Sequence, residues 1–209
     1  MAAVKRSYSA PRREEAARAT RLAVVDAAHR LFLEQGYGAT TIDQIAVRAG
    51  VSRPTVFAVG SKASLLKLAR DVAMAGDDED LDVASRSRFQ RLLAEPDPVV
   101  TLQIFAEHCA DLLGRYAALD EVVRQAAGSD DEIRDLWQTS ETQRLRAARL
   151  VVANLAGKAE LRLPQDRAAD VLWLLMASDT YRRLVQGRRW SRARWIAWYA
   201  ETLHSQLLA

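Results

Sequence analysis

Residues 41–62, TIDQIAVRAGVSRPTVFAVGSK, constrain the fold more than any other stretch of the 209-residue chain. Two apolar-periodic segments, about 42–49 and 53–59, lie on either side of Gly50. Isolated helices shorter than about 12–15 residues are marginal in water. Both segments therefore need support from further helices, and one of them is expected to present a surface to a partner.

Each short segment carries its own start and stop signals. Thr41 and Ser52 stand at N-cap positions, where a side-chain oxygen accepts a free backbone N–H. Pro54 falls in the first turn of the second segment, where no intrahelical N–H is lost. Gly50 stands at a sharp turn, where a positive φ is easiest for glycine. These signals predict helices over 42–49 and 53–59 joined by a tight corner.

The second short helix is predicted to expose a polar face. Val56 is expected to face inward, which leaves Arg53, Thr55 and Phe57 outward or at the edge. A helix pair of this kind is typical of a helix-turn-helix, whose second helix enters the major groove of DNA by its N-terminal end. The alternative is an ordinary corner between two helices of a bundle.

The remaining chain shows helical periodicity and no convincing strand alternation. A first helix over 13–35 is predicted, with Val24, Ala28 and Leu31 on its buried face and Gly36 at its end. Five later helices are predicted. The first is capped by Ser61 and ends at Gly76, and the second has Leu102, Phe105, Cys109 and Leu112 on one face. The third is capped by Ser129 and ends near Asn154, the fourth covers 166–186, and the fifth is capped by Ser191. The predicted fold is all-α, with an N-terminal three-helix helix-turn-helix domain and a larger C-terminal helical bundle.

Charge is concentrated at the N-terminal end. Residues 1–62 hold ten Lys and Arg against five Asp and Glu, whereas the whole chain has a net charge of +3. This imbalance indicates a polyanion contact confined to one end, and the alternative is a chance surplus of solvated arginines. The adjacent carboxylates of residues 77–80 are interpreted as a solvated turn rather than a cation site.

Several classes of protein are not expected. The single cysteine, Cys109, excludes an internal disulfide and fits a reducing cytosol. There is no apolar run of about 18 residues, and the first residues lack the apolar core of a secretion signal, so a soluble cytoplasmic protein without a membrane span is expected. No metal-ligand spacing, glycine-rich phosphate loop or G-x-S-x-G motif occurs, so neither a metal, a cofactor nor an enzyme activity is expected. A helical protein-interaction adaptor remains the other alternative, and it would show no salt-dependent binding to duplex DNA.

The segment GYGATTIDQIAVRAGVSRPTVFAVGSKASLL, preceded by a long helix, resembles the DNA-binding domain of TetR-family transcriptional regulators. The similarity covers about residues 20–70 and includes the turn, the caps, the core positions, Ser61-Lys62 and the Leu65-Leu66 pair. Where family members usually carry further aromatic or histidine residues, this chain has only Ala58-Val59-Gly60, a step that is one residue short. The departure removes a possible phosphate or base contact.

The resemblance implies a set of DNA contacts by matching position. These residues are Thr41, Arg48, Ser52, Arg53, Thr55, Phe57 and Lys62. Arg53 and Thr55 are the best candidates for base edges, arginine for guanine and threonine for a thymine methyl group. Thr41 and Ser52 would bring backbone N–H groups to phosphate, and Lys62 would pair with phosphate directly.

A dimer is expected because one short helix reads too few base pairs for useful specificity, whereas two helices about 34–36 Å apart read a palindrome. The aromatic C-terminal end, with several arginines nearby, is the predicted interface. Its candidate residues are Trp190, Trp195, Trp198, Tyr199 and Leu203. The alternative for this segment is an ordinary core helix with a basic solvent face.

In regulators that this chain resembles, the larger domain holds a small molecule that alters the separation of the two DNA-binding heads. The candidate pocket residues are Phe105, His108, Cys109, Trp137, Ser140, Trp173, Met176 and Tyr181, each of which could instead be a plain core residue. The implied domains are a flexible basic arm (1–13), a DNA-binding domain (14–62) and a ligand-binding and dimerisation domain (63–209). The sequence therefore predicts a dimeric repressor that binds a palindromic operator and is released by a small-molecule effector.

Overall fold

The structure is a computed structural model that describes residues 10–75 and 87–209. Its helices are α1 (Ala10–Ala39), α2 (Ile42–Ala49), α3 (Arg53–Val59), α4 (Lys62–Ala75), α5 (Ser87–Ala94), α6 (Pro98–Ala126), α7 (Asp131–Ala156), α8 (Gln165–Leu175), α9 (Ser178–Tyr181) and α10 (Arg192–Leu207), with a π-helical turn at Arg182–Gly187. Within the described ranges no β-strand occurs, and an isolated bridge pairs Leu161 with Leu208. The all-α prediction is confirmed. The acidic run 77–80 and most of the predicted arm lie outside the described residues.

The chain divides into two compact units, 1–70 and 71–209, and the boundary falls within α4. In the first unit, α1 begins at Ala10 rather than at the predicted Arg13 and kinks at Gly36, where φ is 78°. The predicted α1 face is confirmed, because Val24, Ala28 and Leu31 are buried. Ile45 of α2, Val56 of α3 and the leucine pair of α4 complete this core. The short helices are therefore supported by two longer ones, as their length requires.

The second unit is a bundle built around α6, α7, α8 and α10. Leu102, Phe105 and Cys109 lie on the buried face of α6, as predicted. Leu113 rather than Leu112 continues that face, and Leu112 is only partly buried. Ser191 caps α10, as predicted, by accepting the N–H of Arg194.

The predicted cap of α7 is wrong by one residue. Asp130 occupies the N-cap position, and its carboxylate accepts the N–H of Ile133 at 3.2 Å. Ser129 instead closes the end of α6, because its N–H and its hydroxyl both donate to the carbonyl of Ala126.

The predicted continuous helix over 166–186 is also wrong. The regular helix ends at Leu175, and Ala177 has extended backbone angles. The Ser178 hydroxyl donates to the buried carboxylate of Asp120 at 2.6 Å, and the Thr180 hydroxyl donates to the carbonyl of Ala177. Serine and threonine side chains compete with helical hydrogen bonds in this way, and here the partner Asp120 comes from another helix.

None of the described helices is long and apolar enough to cross a membrane. The described residues also contain no group of three or more His, Cys, Asp or Glu side chains placed to hold a metal ion.

Candidate functional site

The corner between α2 and α3 has the geometry that its sequence predicts. The Thr41 hydroxyl accepts the N–H of Gln44, and the Gln44 side chain accepts the N–H of Thr41 at 2.9 Å. Gly50 ends α2 in the left-handed region with φ 67°, and its N–H bonds back to the last turn. The N–H of Val51 donates to the carbonyl of Ala46 at 3.0 Å, which closes the corner. These bonds fix the direction in which α3 leaves α2.

Of the two side chains proposed to read bases, α3 exposes Arg53, whereas Thr55 is half-buried with its hydroxyl 2.8 Å from that of Ser52. The Ser52 hydroxyl accepts the N–H of Thr55 at 3.4 Å, and Val56 is fully buried. Arg53 is exposed and Phe57 is 54% exposed, an unusual position for a large aromatic ring. The Arg53 guanidinium lies 5.8 Å from the centre of the Phe57 ring. The leading end of α3 therefore presents a cation beside an aromatic surface.

Both exposed arginines of the predicted interface already have carboxylate partners. Arg53 Nε lies 2.9 Å from Asp43 Oδ1, and Arg48 Nη1 lies 2.6 Å from Glu34 Oε1. The hydrogen bond from Arg48 holds the pKa of the Glu34 carboxyl below its usual range. Exposed ion pairs contribute little to stability because water screens them, so a phosphate or a base can replace either carboxylate at small cost.

Lys62 has an intramolecular role that the sequence analysis missed. Its Nζ donates to the carbonyls of Tyr37 and Thr40 at 3.0 and 3.2 Å and lies 4.1 Å from the centre of the Tyr37 ring. Two of its three N–H donors therefore hold the end of α1, which leaves one for a phosphate. Gly36 and Gly38 indicate in the sequence where α1 ends, but Lys62, which bonds to the carbonyl of Tyr37, lies 25 residues further along the chain.

A second missed feature is the polar link between α1 and α2. Gln35 Nε2 donates to the carbonyl of Ala39 at 3.1 Å and to Gln44 Oε1 at 2.9 Å. The Thr41-Ile42-Asp43-Gln44 segment has the spacing of a capping box, and that spacing indicates the role of Gln44. Gln35 gives no such local signal.

The shortened step after α3 has a steric explanation. Gly60 has extended backbone angles, which any residue can adopt, so strain is not the reason for glycine. A Cβ at Gly60 would lie 2.9 Å from the Cβ of Ser64 in the first turn of α4. The short Ala58-Val59-Gly60 connection is therefore possible because residue 60 has no side chain.

The structure spreads the predicted pocket residues over the second unit. Phe105, Cys109 and Tyr181 belong to its buried core, and Trp173 and Met176 pack against that core. The ring of His108 lies 6.1 Å from the ring of Phe89. Ser140 is buried with its hydroxyl bonded to the carbonyl of Leu136, while Trp137 is half-buried on the same helix. Two clefts of the described surface, around Val47 and around Gln186, include none of the eight.

Three of the five predicted interface residues are corrected by their burial. Trp195, Tyr199 and Leu203 are completely buried within a single chain and have no surface left for a partner. The ring of Trp195 stacks on that of Tyr199 at 4.4 Å and lies edge-on to Tyr181. Large aromatic rings at this end of the chain are needed to fill its own core.

Trp190 and Trp198 keep part of their surface exposed. Their rings meet edge to face at 5.9 Å, and the Arg194 guanidinium lies 4.1 Å from the centre of the Trp190 ring. These two tryptophans remain candidates for an interface.

Comparisons with known proteins agree with this architecture. Residues 24–69 match the family model of bacterial regulatory proteins of the tetR family. The HTH-type transcriptional regulator TtgR of Pseudomonas putida is 27% identical over 176 residues, which cover 78% of this chain and 79% of TtgR. The probable HTH-type transcriptional regulator ArpR of Pseudomonas putida is 28% identical over 173 residues, with 78% of this chain and 79% of ArpR covered.

Solved structures share the fold at low sequence identity. The SmeT–triclosan complex superposes with a TM-score of 0.68 at 19% identity, covering 91% of this chain and 92% of SmeT. NalD, the secondary repressor of the MexAB-OprM multidrug efflux pump in Pseudomonas aeruginosa, gives a TM-score of 0.64 at 21% identity, with coverages of 90% and 96%. The capped α2–α3 corner lies inside the segment that the family model matches. Residues 24–69 therefore match the DNA-binding domain of the tetR family, and over most of its length the chain is similar to HTH-type transcriptional regulators.

Proposed function

We propose that this chain is a dimeric repressor that binds a palindromic DNA operator and is released by a small-molecule effector. The observation that carries the proposal is the capped corner at Gly50, which holds α3 with Arg53 and Phe57 exposed at its outer face. Such a helix fits the major groove by its N-terminal end. Because its target is the genome, the repressor would act in the cytoplasm.

Roles at the DNA follow from the geometry of each side chain. Arg53 would leave Asp43 to read guanine, with the exposed Phe57 ring in contact with sugar or a thymine methyl group. Thr55 would approach the neighbouring base, and Arg48 would exchange Glu34 for a phosphate. Thr41 and Ser52 would orient the first turns of α2 and α3 toward phosphate, and Lys62 would offer its third N–H donor.

The dimer would form through the exposed faces of α8 and α10. Arg167, Asp170, Val171 and Leu174 follow one another at helical spacing on one side of α8, and Leu174 is 63% exposed. On α10 the matching apolar surface is that of Trp198, which is continuous with Trp190. An apolar centre with charged neighbours is typical of an interface between identical chains.

Two regulators of similar structure support the proposal that a small-molecule effector releases the repressor from DNA. NalD is described as a repressor of a multidrug efflux pump, and SmeT is described in complex with triclosan. The eight pocket candidates are mostly apolar or aromatic, which favours a compound of the same character. These residues are Phe105, His108, Cys109, Trp137, Ser140, Trp173, Met176 and Tyr181. We place the effector within the second unit.

Selection of bound sequences from a random duplex pool tests this function. The expected result is an enriched palindrome with half-sites one helical turn apart, or a multiple of that distance. Affinity for the selected duplex should fall steeply as salt rises, because phosphate contacts release counterions. A chain that enriches no sequence and shows no salt-dependent duplex binding would be a protein-interaction adaptor instead.

A further inference from the structure

Residues 179–194 concentrate positive charge on the second unit. The stretch covers α9, the π-helical turn Arg182–Gly187 and the start of α10. It contains a single acid, Asp179, and six arginines: Arg182, Arg183, Arg188, Arg189, Arg192 and Arg194. Like charges repel one another, so a cluster of this kind needs acids or a bound anion to offset it.

Neighbouring acids neutralise only part of this charge. Asp179 pairs with both Arg182 and Arg183, at 2.8 and 2.5 Å. Glu121 of α6 bonds to Arg124 at 2.7 Å and lies 3.8 Å from Arg182. Three arginines therefore share two carboxylates, and neither acid is available to a further cation.

Arg188 and Arg189 carry the charge that is left over. Within the described ranges neither side chain has an ion pair or a hydrogen bond, and both are exposed. Arg192 is paired with Asp111, and the Arg194 guanidinium lies over an aromatic ring. The unpaired positive charge is therefore located on the connection between the π-helical turn and α10.

Backbone hydrogen bonds hold this connection in one conformation. The N–H of Arg188 donates to the carbonyl of Arg183 at 2.9 Å, and the N–H of Trp190 donates to that of Leu184 at 3.0 Å. Between them, Arg189 has a φ of 56°, in the left-handed region that favours glycine. Strained residues and π-helical turns are both frequent at functional sites. An arginine at a position suited to glycine indicates that its side chain has a use.

A surface cleft lies within the cluster. Its lining residues are Arg182, Arg183, Gln186, Gly187 and Arg188. Among the described residues, no acceptor meets the buried Nε of Arg182, although Nη2 of the same side chain donates to Asp179. Buried N–H donors nearly always have an acceptor, so this exception requires an explanation. The cleft therefore combines unneutralised guanidinium charge with a donor that lacks an acceptor.

We propose that this cleft binds a small anion with at least two negative charges, of the phosphate-ester or diphosphate class. Guanidinium groups keep their charge at physiological pH and bind phosphate oxygens through paired N–H donors. Arg183 and Arg188 would supply such donors from the walls of the cleft, and Arg182 would add its unpaired Nε. Arg189 would contribute charge from the adjacent position.

A small ligand is favoured over an extended polyanion. The carboxylates of Asp179 and Glu121 lie beside Arg182 and would repel the continuing phosphate chain of a nucleic acid. This anion site is independent of the proposed repressor function, because all of its residues belong to the second unit and line a surface cleft rather than the interior of the bundle.

Isothermal titration calorimetry with pyrophosphate on the full chain, at physiological ionic strength, tests the site. The expected result is one pyrophosphate bound per chain and no detectable binding of acetate, which carries a single charge. Arg188→Gln and Arg189→Gln should each weaken pyrophosphate binding by about three- to thirtyfold. Arg149→Gln is the matched control, because Arg149 is an exposed arginine on α7, and it should bind as the parent does.

Stability measurements separate a ligand contact from a structural role. Arg188→Gln should keep the parent Tm, because this side chain has no partner among the described residues. In Arg189→Gly, relief of the left-handed φ offsets the freedom that glycine adds to the unfolded chain. This variant should therefore keep or exceed the parent Tm while binding pyrophosphate as weakly as Arg189→Gln.

Three results from calorimetry and thermal unfolding would overturn the anion site. They are no binding of pyrophosphate to the parent below about 1 mM, an equal loss of affinity in Arg149→Gln, and a fall of several degrees in the Tm of Arg188→Gln.

Two further results would assign the arginines to another partner. A change in the sedimentation coefficient of Arg188→Gln would mean that this arginine pairs with a carboxylate of a second copy. A loss of affinity for random duplex DNA as large as that for pyrophosphate would mean that the cluster contacts nucleic acid. Either result would overturn the site for a small anion.

Discussion

At the residue scale, the structure separates side chains that hold the first unit together from those that are available to DNA. The side-chain N–H groups of Lys62 and Gln35 donate hydrogen bonds to carbonyl and amide oxygens of the same chain. Arg53 and Arg48 pair with exposed carboxylates that contribute little to stability. These differences predict different phenotypes for residues that the family pattern treats alike.

Arg53→Ala should reduce discrimination among operator variants. Loss of one bidentate base contact is expected to cost about 1–3 kcal/mol at the guanine position and little at other positions. Fluorescence anisotropy with single-base operator variants measures the effect. Arg30→Ala is the control, because Arg30 is an exposed arginine that pairs with Asp26 on its own helix. An unchanged discrimination profile for Arg53→Ala would exclude Arg53 as a base-reading residue.

Lys62→Ala should affect both stability and DNA binding. Loss of the bonds to Tyr37 and Thr40 is expected to lower the free energy of unfolding by about 1–3 kcal/mol, measured by urea denaturation. Loss of one phosphate contact should weaken all duplexes alike and reduce the salt slope by about 1. A destabilised variant with the parent salt slope would show that Lys62 is purely structural.

At the element scale, the N-terminal unit depends on two glycines for different reasons. Gly50 adopts a positive φ with open space around its Cα, so a side chain there would be strained but would not collide. Gly60 has extended backbone angles that any residue can adopt. A Cβ at this position would lie 2.9 Å from the Cβ of Ser64, which is closer than two carbon atoms can pack. Backbone conformation controls the α2–α3 corner, whereas close packing controls the α3–α4 step.

Gly60→Ala should therefore destabilise the chain by about 1–3 kcal/mol, the usual cost of overpacking. The clash involves the Cβ of Ser64, so adding Ser64→Gly should restore part of the lost stability, whereas adding Ser64→Ala should restore none. Thermal unfolding of the single and double variants measures this coupling. Equal effects of the two second-site changes would contradict the proposed contact.

At the scale of the whole molecule, each unit exposes several large apolar side chains. The first exposes Phe57 beside Arg53, and the second exposes Leu174 on α8. Trp195 and Tyr199, which the sequence marked for an interface, fill the core of their own bundle. The proposed dimer therefore depends on the partly exposed Trp198 and on the outer face of α8.

Leu174→Arg should convert the proposed dimer into a monomer and weaken operator binding by at least about tenfold, because two half-sites would no longer be read together. Sedimentation velocity and anisotropy measure the two effects. Leu150→Arg is the matched control, since Leu150 is an exposed leucine on α7, outside the proposed interface. A Leu174→Arg chain that remains dimeric would exclude this face.

Sequence alone was enough to predict those features of this protein that depend on neighbouring residues. The bounds of α2 and α3, the caps at Thr41, Ser52 and Ser191, and the corner at Gly50 were all predicted, because each depends on residues within a few positions of one another. The core face of α1 was equally readable from its spacing.

Tertiary structure decided what depends on residues far apart along the chain. Ser178 donates a hydrogen bond to Asp120 just beyond the end of α8, and Lys62 donates to the carbonyls of Tyr37 and Thr40. Trp195 is buried inside the bundle. Side-chain type and spacing indicate that such a residue is apolar or charged, but the partner is chosen by packing between helices. For that reason the fold and the position of α3 were predictable, whereas the hydrogen bonds of Lys62 and the burial of Trp195 became visible only in three dimensions.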